Sequence, residues 1–180
     1  GAKIFPFASS AVVIGAATYV TMMKQAFNVN ITAINASYGS YSFSQSEKTS
    51  IAAANAAGVV FVAAAGNGCH PSNCDFIGDD NDVLPSYPAS YDLDGIIAVA
   101  NTDNQDNRAN SSNYGLTSVD LGAPGTFILS TVPTWQHSTG YDIKNGTSMA
   151  SPQVAGAVAL LRGLRPSLTV QQTKDVILGT

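Results

Sequence analysis

An α/β fold with a mostly parallel sheet flanked by helices is what this sequence predicts, and three observations predict it. Strand-like and helix-like runs alternate along the first hundred residues, the mark of successive βαβ units. Val59 to Ala64 is a near-continuous apolar run, as in a strand covered on both faces. No repeat, low-complexity tail or linker divides the 180 residues, so 1–180 reads as one unit.

Each element has its local reason. Ile4 to Phe7 reads as a strand. Ser10 can cap a helix running to about Phe27, with Val12, Val13, Ala16, Val20 and Met23 approximating an apolar stripe. Ile31 to Ala36 is the next strand. A second helix runs from about Ser46 to Ala57, with Gly58 where a left-handed C-terminal cap is wanted. After the strand Val59 to Ala64, a long loop carries Gly66, Asn67, Gly68, both cysteines and an acidic cluster before Ile96 to Ala100 resumes the sheet. From Ser118 to Tyr141 short β segments are broken by Gly122, Pro124, Gly125, Pro133 and Gly140. A helix from about Ser148 to Leu164 follows, its Pro152 read as a first-turn proline. Thr169 caps a last helix that reaches Thr180 without a stop signal. Both ends read as cut.

Charged residues are only 11% of the chain and the net charge is −4. That leaves no basic stripe for nucleic acid or anionic lipid. The most apolar stretches, Ile51 to Ala65 and Met149 to Leu161, are too short or too broken to span a bilayer. Nucleic acid and membrane are therefore not expected partners. Cys69 and Cys74 flank a loop containing Pro71 and Asn73; a local disulfide, fitting an exported protein, is one reading and two free thiols the other. Sequons at Asn30, Asn35, Asn110 and Asn145 are short patterns that an Asn-rich chain produces by chance.

Three segments carry chemistry. The longest is Asn145-Gly146-Thr147-Ser148-Met149-Ala150-Ser151-Pro152, followed by Val154-Ala155-Gly156. It places a serine in the first turn of a helix, among unpaired N–H groups at the positive end of the macrodipole. The plain alternative is an N-cap serine on a buried Ala-rich helix. The second is Ala63-Ala64-Ala65-Gly66-Asn67, where Gly-Asn after a strand is otherwise a common turn. The third is Ile34-Asn35-Ala36-Ser37-Tyr38-Gly39, otherwise a strand-ending turn.

Together these segments resemble the subtilisin family of serine proteases over almost the whole chain, Pro85 to Tyr91 and Ile96 to Ala100 included. The resemblance implies a partial peptidase catalytic domain, truncated on its N-terminal side, with Ser148 as nucleophile. It implies that the Asn67 side-chain amide and the Ser148 N–H stabilise the oxyanion of acyl transfer. An extended polypeptide substrate would add as a strand along Ser37, Tyr38 and Gly39. Its specificity pocket would lie between that segment and Ala64, Ala65 and Gly66. The complete protein is expected to be a secreted monomer.

Acyl transfer also needs a base and a carboxylate to orient it. By the resemblance, these precede the strand at Ile4 to Phe7. The two histidines, His70 and His137, lack the Gly-Thr sequel of the family's catalytic histidine and read as exposed loop residues. Gln153, where many relatives carry another histidine, receives no role. Residues 1–180 alone are therefore expected to be inactive. The resemblance also implies a missing strand that would lie in the sheet between those at Ile4 to Phe7 and Ile31 to Ala36, and its loss is expected to leave the isolated piece poorly soluble or to pair those two strands directly. No cofactor is needed for the chemistry. Asp75, Asp79, Asp80 and Asp82 meet no calcium-loop spacing and read as a solvated acidic loop, while the resemblance keeps a structural calcium open. The rival readings are a non-catalytic relative that binds extended peptide, and a structural half of a larger assembly.

Overall fold

The computed structural model describes residues 3–4, 13–72 and 74–179. The strand expected at Ile4 to Phe7 and the Ser10 cap fall almost wholly outside them. In order, the elements are α1 Val13–Phe27, β1 Ala33–Ala36, α2 Gln45–Ala56, β2 Val60–Ala64, β3 Ile96–Thr102, β4 Leu121–Pro124, β5 Ile128–Thr131, β6 Tyr141–Lys144, α3 Thr147–Leu164 and α4 Val170–Leu178.

Strands β1 to β4 form one sheet in that order, every pair parallel, while β5 and β6 form a separate antiparallel ribbon. The apolar runs are explained by what covers them. Successive side chains of a strand point to opposite faces, so Phe61 and Ala63 of β2, with Ile96 and Ala98 of β3, pack against Ile51 of α2. Val60, Val62, Ile97 and Val99 pack on the other face against Ala150, Val154 and Val158 of α3. All of β2 is buried. Val20 of α1 and Ala54 of α2 meet over Val59 in a smaller cluster. Among the described residues β1 makes a ladder on one edge only, with β2.

Several boundaries differ from expectation, each for a local reason. Strand β1 starts at Ala33 because the Ile31 N–H is spent on a turn to the Val29 carbonyl. Helix α2 starts one residue before the expected Ser46 because Ser44 caps it, its Oγ accepting from Glu47 N at 3.3 Å. Gly58, at φ +83°, follows the helix as expected. Pro152 is the sixth residue of α3 rather than a first-turn proline. At α4 the Thr169 cap is a full capping box with Gln172, and the missing stop signal is in fact Gly179, left-handed at φ +74°. Cys69 and Cys74 are disulfide-bonded.

Candidate active site

The parallel strands deliver β1 and β2 to the same end of the sheet, where their carboxyl ends run into Ser37 and into Gly66-Asn67. Helix α3 crosses beneath all four strands of the sheet and starts at that same end, as ligand sites in open α/β sheets do. The chain enters α3 through Gly146, at φ +135° and ψ 168°. Only glycine adopts this backbone readily. A Cβ there would stand 3.1 Å from Asn67 Oδ1.

Asn67 is fixed by the residue before the serine. Thr147 donates to Asn67 Oδ1 from its backbone N at 3.0 Å and is 3.2 Å from it through Oγ1. A backbone N–H can only donate, so the atom it meets is the amide oxygen, and the NH2 is the end left over. No described residue accepts from that NH2 or from the Ser148 N–H. The Asn67 NH2 and the Ser148 N–H are thus two donors without an acceptor among the described residues, the first on an amide bonded to the neighbour of Ser148 and the second at a helix N-terminus that favours negative charge.

Ser37 and Ser148 hold each other reciprocally. Ser37 Oγ donates to the Ser148 carbonyl at 2.8 Å, and Ser148 Oγ donates to the Ser37 carbonyl at 3.3 Å. The first bond exists because of Pro152. In a helix the Ser148 carbonyl would accept from the N–H of residue 152, and proline has none. Ser37 Oγ supplies the missing donor, while itself accepting from Asn35 Nδ2 at 2.9 Å and lying 3.1 Å from Ser151 Oγ.

Of the expected substrate-binding residues, Ala64 and Ala65 are buried, and Ser37, Tyr38 and Gly66 are half-buried; Gly39 is exposed. The Tyr38 hydroxyl donates to Glu47 at 3.1 Å. Burial and the Glu47 carboxylate push its phenol well above the ordinary range, so it stays protonated. A depression of about 360 Å³ opens beside Ser148 on a different side, lined by Ile128, Thr131, Lys144, Met149, Pro152 and Gln153 among others. Gln153 bonds the Pro124 carbonyl, tying α3 to the end of β4.

Neither histidine meets Ser148. His70 is half-buried rather than exposed, its Nδ1 on Ser72 Oγ and its ring edge-on to Tyr41 at 4.7 Å. His137 is exposed and bonded to Thr139. The acidic loop is not merely solvated. Asp75 and Asp80 accept from amides of their own loop, and Asp79 accepts from Tyr41. Hydrogen bonds from Ser118 and Thr117 hold the Asp82 carboxyl down to about 2. Among the described residues no group of three or more His, Cys, Asp or Glu side chains is placed to hold a metal.

Three residues escaped the sequence reading. Thr147 lay inside the serine segment, but its bond to Asn67 needs the two loops brought together. Asn81 and Asn113 are almost completely buried, and nothing in their local sequence sets them apart from the other asparagines of the chain.

The family model described as the subtilase family matches residues 1–180. Subtilisin DY of Bacillus licheniformis is 38% identical over 169 residues, covering 92% of this chain and 56% of that protein. Thermitase of Thermoactinomyces vulgaris is 41% identical over 128 residues, covering 68% of this chain and 39% of that protein. The crystal structure of a cold-adapted subtilisin-like serine proteinase superposes with TM-score 0.72 at 30% identity, over 93% of this chain and 53% of that one. The chain thus spans about half the length of the relatives it matches, and no helix among the described residues is long and apolar enough to cross a membrane.

Proposed function

Because this chain belongs to the subtilase family, we propose that its protein is a serine endopeptidase, cleaving peptide bonds through an acyl-enzyme on Ser148. The observation that carries the proposal is the pinned Asn67 amide. Its oxygen is occupied by Thr147, the neighbour of Ser148, which leaves its NH2 without a partner among the described residues. When Ser148 Oγ adds to a substrate carbonyl, the carbonyl oxygen becomes negative, and that NH2 and the Ser148 N–H are held ready for it without reorganisation. The magnitude is borrowed from subtilisin, where losing one such donor costs about a hundred- to a thousandfold in turnover.

The proton of Ser148 needs a base, and among the described residues the hydroxyl has only the Ser37 carbonyl. That carbonyl cannot take up a proton at neutral pH. The base and its orienting carboxylate are therefore assigned to parts of the protein beyond residues 1–180, in keeping with the half-length match. Leaving out the histidine costs subtilisin, again the source of the figure, on the order of a millionfold. Residues 1–180 alone are accordingly inactive. The substrate is a polypeptide laid along Ser37, Tyr38 and Gly39, with the side chain before the cleaved bond directed between that segment and Ala64, Ala65 and Gly66. The Cys69–Cys74 bond supports work outside the cell, and the complete protein is proposed to be a monomer. The chemistry draws on no cofactor.

A fluorophosphonate probe on the full-length protein tests this. Labelling that disappears in Ser148→Ala, together with peptide hydrolysis, supports an enzyme. Retained peptide binding without labelling supports a non-catalytic relative.

A further inference from the structure

Behind Asn67 lies a buried polar cluster that the chemistry above does not use. Asn113 is fully buried and Asn81 is 1% exposed. Asn113 Oδ1 accepts from Gly68 N at 2.7 Å and from Asp79 N at 3.0 Å. Its Nδ2 donates to Asn81 Oδ1 at 2.9 Å and lies 3.5 Å from the Tyr41 hydroxyl. Its backbone N donates to the Gly66 carbonyl at 3.0 Å. Asn81 Nδ2 in turn donates to the Ala65 carbonyl at 2.9 Å.

The pattern brackets one residue. Asn113 holds the carbonyl just before Asn67 and the N–H just after it, and Asn81 holds the carbonyl one step further back. Every hydrogen-bonding position of the Asn113 side chain is engaged, and two backbone N–H groups converging on Oδ1 fix which end of the amide faces the loop. The fit leaves no slack. A Cβ on Gly66, at φ +115°, would stand 2.5 Å from Asn113 Nδ2. Gly68, at φ +62°, is packed against the Ile77 carbonyl in the same way. Neither asparagine touches Ser148 or lines the depression beside it.

We infer that Asn113, braced by Asn81, is a positioning residue that sets where the Asn67 amide stands relative to the Ser148 N–H. The inference rests on the proposed acyl-transfer reading. A buried amide pair of this kind is needed because two glycines flank Asn67. Glycine gives the loop the conformations it requires and at the same time the freedom to leave them. Misplacing a catalytic donor by about 1 Å can cost on the order of a hundredfold. The clamp therefore acts on the transition state, in which the donors are used. Binding of the peptide backbone along Ser37 to Gly39 does not pass through it.

The test uses the full-length protein, a tetrapeptide anilide and a peptide boronic acid, whose adduct with Ser148 places a tetrahedral oxygen at the donors. Asn113→Ser is expected to lower kcat by about ten- to a hundredfold with KM changed less than about twofold, and to weaken the boronate by the same factor as kcat. In an Asn67→Ala background the same substitution changes kcat by less than about twofold, because the residue it positions is gone. A rise in KM at constant kcat, or losses that multiply in the double variant, overturns the inference. Should Asn113→Ser not fold, Asn81→Ala is read by kcat and by the loss of its kcat effect in the Asn67→Ala background, not by KM, because Asn81 also holds the Ala65 carbonyl of the proposed specificity pocket. If the unaltered protein does not cleave the anilide, it is the acyl-transfer reading that fails. Amide exchange at Gly68 then decides the clamp, since faster exchange in either variant supports it and unchanged exchange refutes it.

Discussion

Substituting Ser37 by alanine should destabilise the protein through a carbonyl on another element. Ser37 Oγ is the donor to the Ser148 carbonyl, and Pro152 has no N–H to take its place. Losing the bond costs about 1 kcal/mol, and leaving a partly buried carbonyl without a donor adds roughly another 1 kcal/mol. The sum of about 2 kcal/mol appears as unfolding up to about thirtyfold faster if the contact is absent from the unfolding transition state. Pro152→Ala restores a helix N–H to that same carbonyl. The double variant should therefore lose less than the two single effects combined, by about 1 kcal/mol or roughly fivefold in rate. The assay is the unfolding rate of full-length protein in guanidinium, which is defined even when refolding is not. A Ser148→Ala background prevents self-cleavage. Additivity within about 0.5 kcal/mol would show that Ser37 is not standing in for the proline's missing donor.

Gly146→Ala forces a side chain into a glycine-only conformation 3.1 Å from Asn67 Oδ1; it should cost about 1–3 kcal/mol, and kcat should fall more than the melting temperature alone suggests. Asp82 is held down to about 2 by Ser118 and Thr117, so its hold on that loop is complete above the ordinary carboxylate value of about 4 and is lost as pH falls through about 2; the Thr117 amide shift should titrate with that low midpoint, and a midpoint near 4 would contradict it. Ile97→Ala removes a fully buried side chain between β3 and α3 and should cost about 2–5 kcal/mol, read as unfolding rate in the same background.

The sheet was legible because its central strands are buried on both faces, which writes an apolar run directly into Val60 to Ala64 and Ile96 to Ala100. Gly58 and Thr169 were legible because a helix end has local chemistry of its own. The start of α2 was misplaced at Ser46 although Ser44 and Glu47 stand at capping-box spacing. In the fold Glu47 turns its carboxylate away from the cap, to the Tyr38 and Tyr91 hydroxyls. At the proposed site, Ser148 and Asn67 were singled out from their segments, whereas the Thr147 bond joins residues 80 apart and so has no local trace. The same holds for Pro152. The missing N–H could be read from the sequence, but its replacement by a hydroxyl from the end of β1 needs the two elements packed together. Asn113 was invisible for a plainer reason: an asparagine in a loop looks alike whether it faces water or fills a buried socket.

The two walls around Ser148 stand on unequal footings. On one side, Ala65 to Gly68 grow out of a fully buried strand and are tied down atom by atom. On the other, β5 and β6 form a two-stranded ribbon outside the main sheet, with Leu129 and Ile143 more than half exposed, and a ribbon of that kind has little stability of its own. Thermal motion at the cleft should therefore be lopsided. On the proposed reading, the half that would meet developing charge keeps its shape, and the half formed by the ribbon would yield to whatever chain it receives.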